Sequence, residues 1–169
     1  SFRIAPTPRG DAVLVTHEHF DHCSPEDVAK VSGPDTVILT EPKSAEKLSG
    51  DVRVMAPGDV VDVDGVPITA VPAYNTDKDF HPRQNNWLGF VVDMDGIKIY
   101  HCGDSDFIPE MKDLDVDIAL IPVSGTYVMD VDQAIEAARA IGPKVAVPMH
   151  YGKIVGSEDD ARRFAETLK

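Results

Sequence analysis

Ala12-Val13-Leu14-Val15-Thr16-His17-Glu18-His19-Phe20-Asp21-His22 decides how the rest of this chain is read. The first four residues are apolar and β-prone, so they form a short buried strand. After His22 and Cys23, Ser24-Pro25-Glu26-Asp27 opens a helix, with Ser24 as N-cap, Pro25 at the first helical position and Asp27 three residues after the cap. His17, His19, Asp21 and His22 therefore sit in a tight loop between a strand and a helix. In open α/β architectures, ligand sites gather at the carboxyl ends of strands. Imidazole nitrogen and carboxylate oxygen are the donors that zinc and its first-row neighbours take. The chain has six histidines, so three of them in one loop make a metal site a better reading than a coincidence of polar residues.

The bulk composition narrows the choice. At 169 residues the chain is expected to form one domain, residues 1–169, large enough for its own core. Sixteen basic against 29 acidic residues give a net charge of −13, which argues against a nucleic-acid footprint, since that needs clustered Lys and Arg. No apolar run has the length of a membrane span and no signal-peptide pattern opens the sequence. Cys23 and Cys102 make no disulfide framework and read as small buried apolar groups, so a reducing cytoplasm is the expected compartment.

Outward from the loop, Ser1-Phe2-Arg3-Ile4 alternates like a short strand and Ala5 to Gly10 is turn-rich. Thr36 to Thr40 and Val52 to Met55 read as strands, with a short helix from Glu41 to Ser49 between them. Val60 to Val63 and Val66 to Val71 make a hairpin across Asp64-Gly65, and Leu88 to Val92 with Ile97 to Tyr100 a second across Asp95-Gly96. Asp117 to Ile121 is a further strand. Asp130-x-x-Gln133 caps a helix that buries Ala134, Ile135, Ala138 and Ile141 and ends at Gly142-Pro143. Val145 to Met149 is the last strand, and Ser157-x-x-Asp160 caps the last helix. The class is α/β.

Two later strands repeat the opening logic. Ile97 to Tyr100 runs out into His101-Cys102-Gly103-Asp104, which presents a carboxylate at a strand end, and Val145 to Met149 runs out into His150. His101, three residues before Asp104, is expected to support a ligand by a hydrogen bond. Pro72 to Trp87 is long for a structureless connection and carries Lys78, His81 and Arg83, so it is expected to border a binding pocket.

These three strand-end motifs resemble those of the metallo-β-lactamase superfamily, most closely the branch of ascorbate-6-phosphate lactonase and uncharacterised metal-dependent hydrolases. The resemblance implies an αββα four-layer sandwich, here with a first sheet whose opening strands look abbreviated or absent. It implies two divalent metal ions, zinc expected and manganese the alternative. His17 and His19 would hold the first. Asp21, His22 and His150 would hold the second, with Asp104 bridging both. The family's third histidine for the first ion falls near Asn75, which offers only an amide, so His81, six residues on, is the favoured ligand and Asn75 the alternative. The implied activity is hydrolysis of a small ester, lactone or phosphodiester, with Asp21 orienting the nucleophile or taking its proton. The expected partner is a small anionic substrate met by Lys78 and Arg83, with no nucleic acid and no membrane. A tRNA-processing nuclease of the same fold, or a metal-binding protein of this fold without turnover, are the competing implications.

Overall fold

The computed structural model describes residues 8–169. The strand anticipated over Ser1 to Ile4, and residues 5–7 of the turn-rich stretch, lie outside the described residues. Two sheets carry the architecture. The first has three parallel strands in the order β1 (Ala12–Val15), β2 (Val37–Thr40), β3 (Asp51–Val54). The second has six in sequence order, β4 (Val60–Val63), β5 (Val66–Pro72), β6 (Leu88–Met94), β7 (Ile97–His101), β8 (Ile118–Pro122) and β9 (Val145–Met149). It is antiparallel from β4 to β7 and parallel from β7 to β9.

The period-two pattern of the strands sets the layers. On β1 and β2, Ala12, Leu14, Val37 and Leu39 face the second sheet and pack with Ile68, Ala70, Leu88 and Phe90. The alternate residues Val13, Val15 and Ile38 face outward and pack against Val28 of helix α1 (Pro25–Val31). On the far side of the second sheet, Tyr100, Ala119 and Ile121 pack under Ala134, Ile135 and Ala138 of α3 (Val131–Ile141) and Phe164 of α4 (Glu158–Thr167). Helix, sheet, sheet and helix pair make the αββα sandwich.

Local signals place most boundaries. Ser24 accepts the Asp27 N–H at the start of α1, and capping boxes open α3 at Asp130/Gln133 and α4 at Ser157/Asp160. Asp64-Gly65 and Asp95-Gly96 take positive φ at both positions, the geometry that lets a two-residue turn follow strand twist. One helix is shorter than its sequence suggests: the one anticipated over Glu41 to Ser49 is a single turn, α2 (Pro42–Ala45). Its cap explains why it starts, because the buried Glu41 carboxylate accepts the N–H groups of Lys43 and Ser44. It has no run of apolar residues at helical spacing to extend it.

Candidate metal centre

The candidate ligands lie in loops that follow strands, close to the strand end for His17, Asp104 and His150 and nine residues beyond it for His81. The β1–α1 loop is pinned at both ends. Thr16 C=O accepts the N–H of Leu88, tying it to the second sheet, while His19 C=O accepts the N–H groups of His22 and Cys23. These bonds turn the chain so that His17, His19 and His22 face inward together. Gly103, after β7, has φ of +66°, and a Cβ there would stand 2.6 Å from the Leu88 carbonyl oxygen. No other residue fits without moving that backbone, and its turn delivers Asp104 to the same point. His101 Nδ1 accepts the Gly103 N–H at 3.1 Å and so holds this turn.

Asp104 is the hub, only 5% exposed. Its Oδ2 lies 3.2 Å from His22 Nε2, 3.2 Å from His150 Nε2, 3.4 Å from His81 Nε2 and 4.0 Å from His17 Nε2. His17 Nε2 is also 3.1 Å from His19 Nδ1, and Asp21 Oδ2 is 3.5 Å from His22 Nε2. Within this cluster His17, His19 and His81 make one group with ligand atoms close enough to share an ion, and His17, His22 and Asp104 another.

The outer atoms of these rings are fixed by partners. Thr16 Oγ1 is hydrogen-bonded to His17 Nδ1 at 2.9 Å, and Ser124 Oγ to His150 Nδ1 at 2.9 Å. His81 Nδ1 is 3.1 Å from Asn75 Oδ1 and 3.2 Å from the Tyr127 carbonyl. Two acceptors at Nδ1 put the proton there and leave the Nε2 lone pair facing Asp104, the arrangement a metal-binding imidazole needs. Asn75 thus turns its oxygen toward His81, and His81 presents the ring nitrogen to the cluster.

The electrostatics are those of a cation site. Burial pushes the His17 pKa well below its ordinary value, with His22 adding repulsion, and burial lowers His19 and His101 as well. Burial also opposes charge on Asp104, yet His150 and His22, with the His81 ring close by, hold its carboxyl well below the usual range. His150 pays the same burial cost, but the Asp104 carboxylate outweighs it and raises its pKa. Three imidazoles crowd one carboxylate oxygen, and His81 Nε2 is buried with no hydrogen-bond partner. A buried nitrogen left unpaired is costly, and a divalent ion satisfies it. The residues present therefore fit a metal.

His150 sits at φ of +60°, uncommon for a non-glycine residue and a form of strain that collects at functional positions. Trp87 packs its indole against His17, His19 and His81, with ring centroids 4.8, 4.8 and 5.5 Å away, and forms a dry wall behind the cluster. In front lies an open cleft of about 450 Å³, with Asp21, His22, His101, Asp104 and His150 on its floor.

The cluster brings together His17, His19, Asp21, His22, His81, Asp104 and His150. Lys78 and Arg83 are corrected: neither reaches the cleft. Lys78 is bound at 2.7 Å to the buried Asp106 carboxylate and at 2.6 Å to Asp77, while Arg83 pairs with Glu110 at 3.0 Å and lies over the Tyr74 ring. Acidic neighbours of opposite charge capture both, which spacing along the loop does not reveal. Sequence reasoning also missed Trp87, Ser124 and the orienting role of Asn75. Ser124 carries no motif at all, whereas Asn75 was visible as the polar residue six positions before His81.

The Beta-lactamase superfamily domain matches residues 3–150 of the chain. A UPF0173 metal-dependent hydrolase of Thermoplasma acidophilum is 38% identical over 162 residues, spanning 91% of this chain and 71% of that protein. One of Pyrococcus abyssi is 36% identical over 166 residues, spanning 94% and 74%. A solved structure from Parabacteroides distasonis, assigned by name to the metal-dependent hydrolases, superposes with a TM-score of 0.86 at 40% identity, covering 96% of this chain and 73% of that one.

Proposed function

The chain belongs to the beta-lactamase superfamily and to its metal-dependent hydrolases, and on that premise we propose that it cleaves a small ester, lactone or phosphodiester using a pair of divalent ions, zinc first and manganese second. The observation that carries this reading is the convergence of His22, His81 and His150 on one Asp104 oxygen at the floor of an open cleft.

In this reading His17, His19 and His81 would hold one ion and Asp21, His22 and His150 the other, with the Asp104 carboxylate available to both. When bound, the ions supply an acidified water and polarise the substrate oxygen. The protein's own groups do the rest. Asp21 faces the open cleft, so its carboxylate is placed to orient the attacking water and accept its proton. His101 holds the Gly103 turn and with it the position of Asp104. Ser124 and Asn75 fix the tautomers of His150 and His81. Trp87 excludes water from the rear of the cluster, which strengthens every charge interaction there.

A cleft of about 450 Å³ suits a small molecule. The net charge of −13 disfavours nucleic acid as substrate. No described helix is long and apolar enough to cross a membrane. Buried, unpaired Cys23 and Cys102 support a reducing compartment, which we assign as the cytoplasm.

The test is turnover of a panel of chromogenic esters, lactones and phosphodiesters by protein loaded with zinc and then manganese. Metal-dependent cleavage of at least one class, abolished in Asp104→Asn and reduced about a hundredfold or more in Asp21→Asn, is the expected result. Absence of turnover across the panel with metal bound would overturn the reading.

A further inference from the structure

Among the described residues, the cleft lining contains one lysine and no arginine. Lys153 lines the cleft together with Asp21 and Asp104. It is exposed, and among the described residues it pairs with no carboxylate. Six of the nine lysines, Lys30, Lys43, Lys47, Lys78, Lys98 and Lys144, have carboxylate partners; of the others, Lys112 lies over the Phe107 ring and Lys169 ends the sequence, so Lys153 is the one without a carboxylate partner that lines the cleft.

The loop that carries Lys153 is built, not loose. Gly152 donates its N–H to the Val155 carbonyl at 3.1 Å, closing a tight turn with Lys153 and Ile154 at its tip. Gly156, at φ of +69°, lies so close to Ser124 that a Cβ would stand 2.7 Å from the serine Cβ. Ser124 is the residue that orients His150. The turn is therefore registered to the metal cluster through one side chain, and Lys153 is held at a set place on the cleft wall. Its neighbours on that wall, Leu14, Met149, Ile154 and Val155, are apolar.

We propose that Lys153 receives a carboxylate of the substrate, carried a short apolar spacer away from the bond that is cleaved. A single ammonium is a point charge that balances one negative charge. Among the described residues the cleft has no arginine fork of the kind that suits a dianionic phosphate, so a carboxylate is the better match. Leu14, Met149, Ile154 and Val155 in the same lining offer apolar surface to the spacer. This assignment rests on the hydrolase reading above, deepens it to an anionic substrate class, and gives Lys153 the role that Lys78 and Arg83 cannot fill.

The experiment compares zinc-loaded wild type, Lys153→Met and Lys153→Arg on two esters of equal acyl length, 4-nitrophenyl hydrogen glutarate and 4-nitrophenyl pentanoate. The ratio of kcat/KM for the charged over the neutral ester falls about tenfold in Lys153→Met, through KM, and Lys153→Arg restores most of it. A binding measurement keeps the two proposals separable: calorimetric titration with glutarate and with butyrate requires no turnover. Lys153→Met weakens glutarate about tenfold relative to butyrate even if neither ester is cleaved, a result that would sink the ester reading but not this one. Equal losses on both ligands and both esters, or wild type that binds glutarate no better than butyrate, overturn the role of Lys153.

Discussion

Asn75 accepts two hydrogens from His81: its Oδ1 lies 2.9 Å from the His81 backbone nitrogen and 3.1 Å from Nδ1. The same asparagine donates from Nδ2 to the Tyr127 carbonyl at 3.0 Å, so its amide orientation follows from the network. The loop between β5 and β6 is thereby folded back on itself, and the ring of His81 is aimed by a residue that does not itself enter the cluster.

This relationship separates two variants that chain position alone leaves equivalent. With His81 as a ligand, as proposed, His81→Ala should lower zinc occupancy by one ion per chain in elemental analysis. Asn75→Ala keeps the ligand and loses its alignment, so affinity for that ion drops about tenfold to a hundredfold while both ions still bind at saturating zinc. Competition against a chromogenic chelator reads the difference. Loss of an ion in Asn75→Ala with full occupancy in His81→Ala would reverse the roles.

Trp87 is the only tryptophan in the chain and touches the rings of three histidines in the cluster. Zinc added to metal-free protein changes its emission, and the change saturates with the ion held by His17, His19 and His81. In His19→Ala the response shifts to higher zinc by about tenfold or more. Emission that ignores zinc while zinc binds would place the ion elsewhere.

Metal-free protein should lose stability in mild acid. His17, His19 and His101 have pKa values lowered in the fold by burial, so the unfolded chain binds more protons than the folded one as pH drops past their ordinary value of 6.5. Their stabilising contribution is present above that pH and is lost as pH falls toward the folded values. His150 is raised and acts in the opposite sense: its contribution is present below 6.5 and lost as pH rises through its folded pKa. Three against one gives a thermal midpoint that falls between pH 7.5 and 5.5. A midpoint that is flat or rises over that range contradicts the burial of neutral imidazoles.

Gly103→Ala should cost about 2–4 kcal/mol in denaturant titration, because the new methyl meets the Leu88 carbonyl and the φ is left-handed. Zinc affinity falls with it, since the same turn delivers Asp104. An alanine variant of wild-type stability and affinity would show that this backbone is free to move.

The sequence made the outline readable for local reasons. The Asp-Gly turns, the Ser24, Asp130 and Ser157 caps and the alternating strands each state their structure within a few residues. So does the His17 to His22 loop, whose ligands are neighbours in the chain. Asp104 and His150 were readable through the family resemblance, because a carboxylate or an imidazole after a strand is not distinctive by itself. What was not readable depends on contacts between distant segments. Lys78 lies 28 positions before Asp106, yet that buried carboxylate takes its charge out of use. Lys153 looks like an ordinary surface lysine until the Gly156–Ser124 contact fixes its loop on the cleft. The brevity of α2 likewise follows from a cap that begins a helix with no apolar face to continue it.

The most direct measurement is anomalous diffraction at the zinc edge from crystals of zinc-loaded protein. The account predicts a pair of peaks flanking Asp104, one bounded by His17, His19 and His81 and the other by Asp21, His22 and His150. Zinc bound only at sites away from Asp104, or His81 Nε2 turned out of the cluster with metal present, would contradict it.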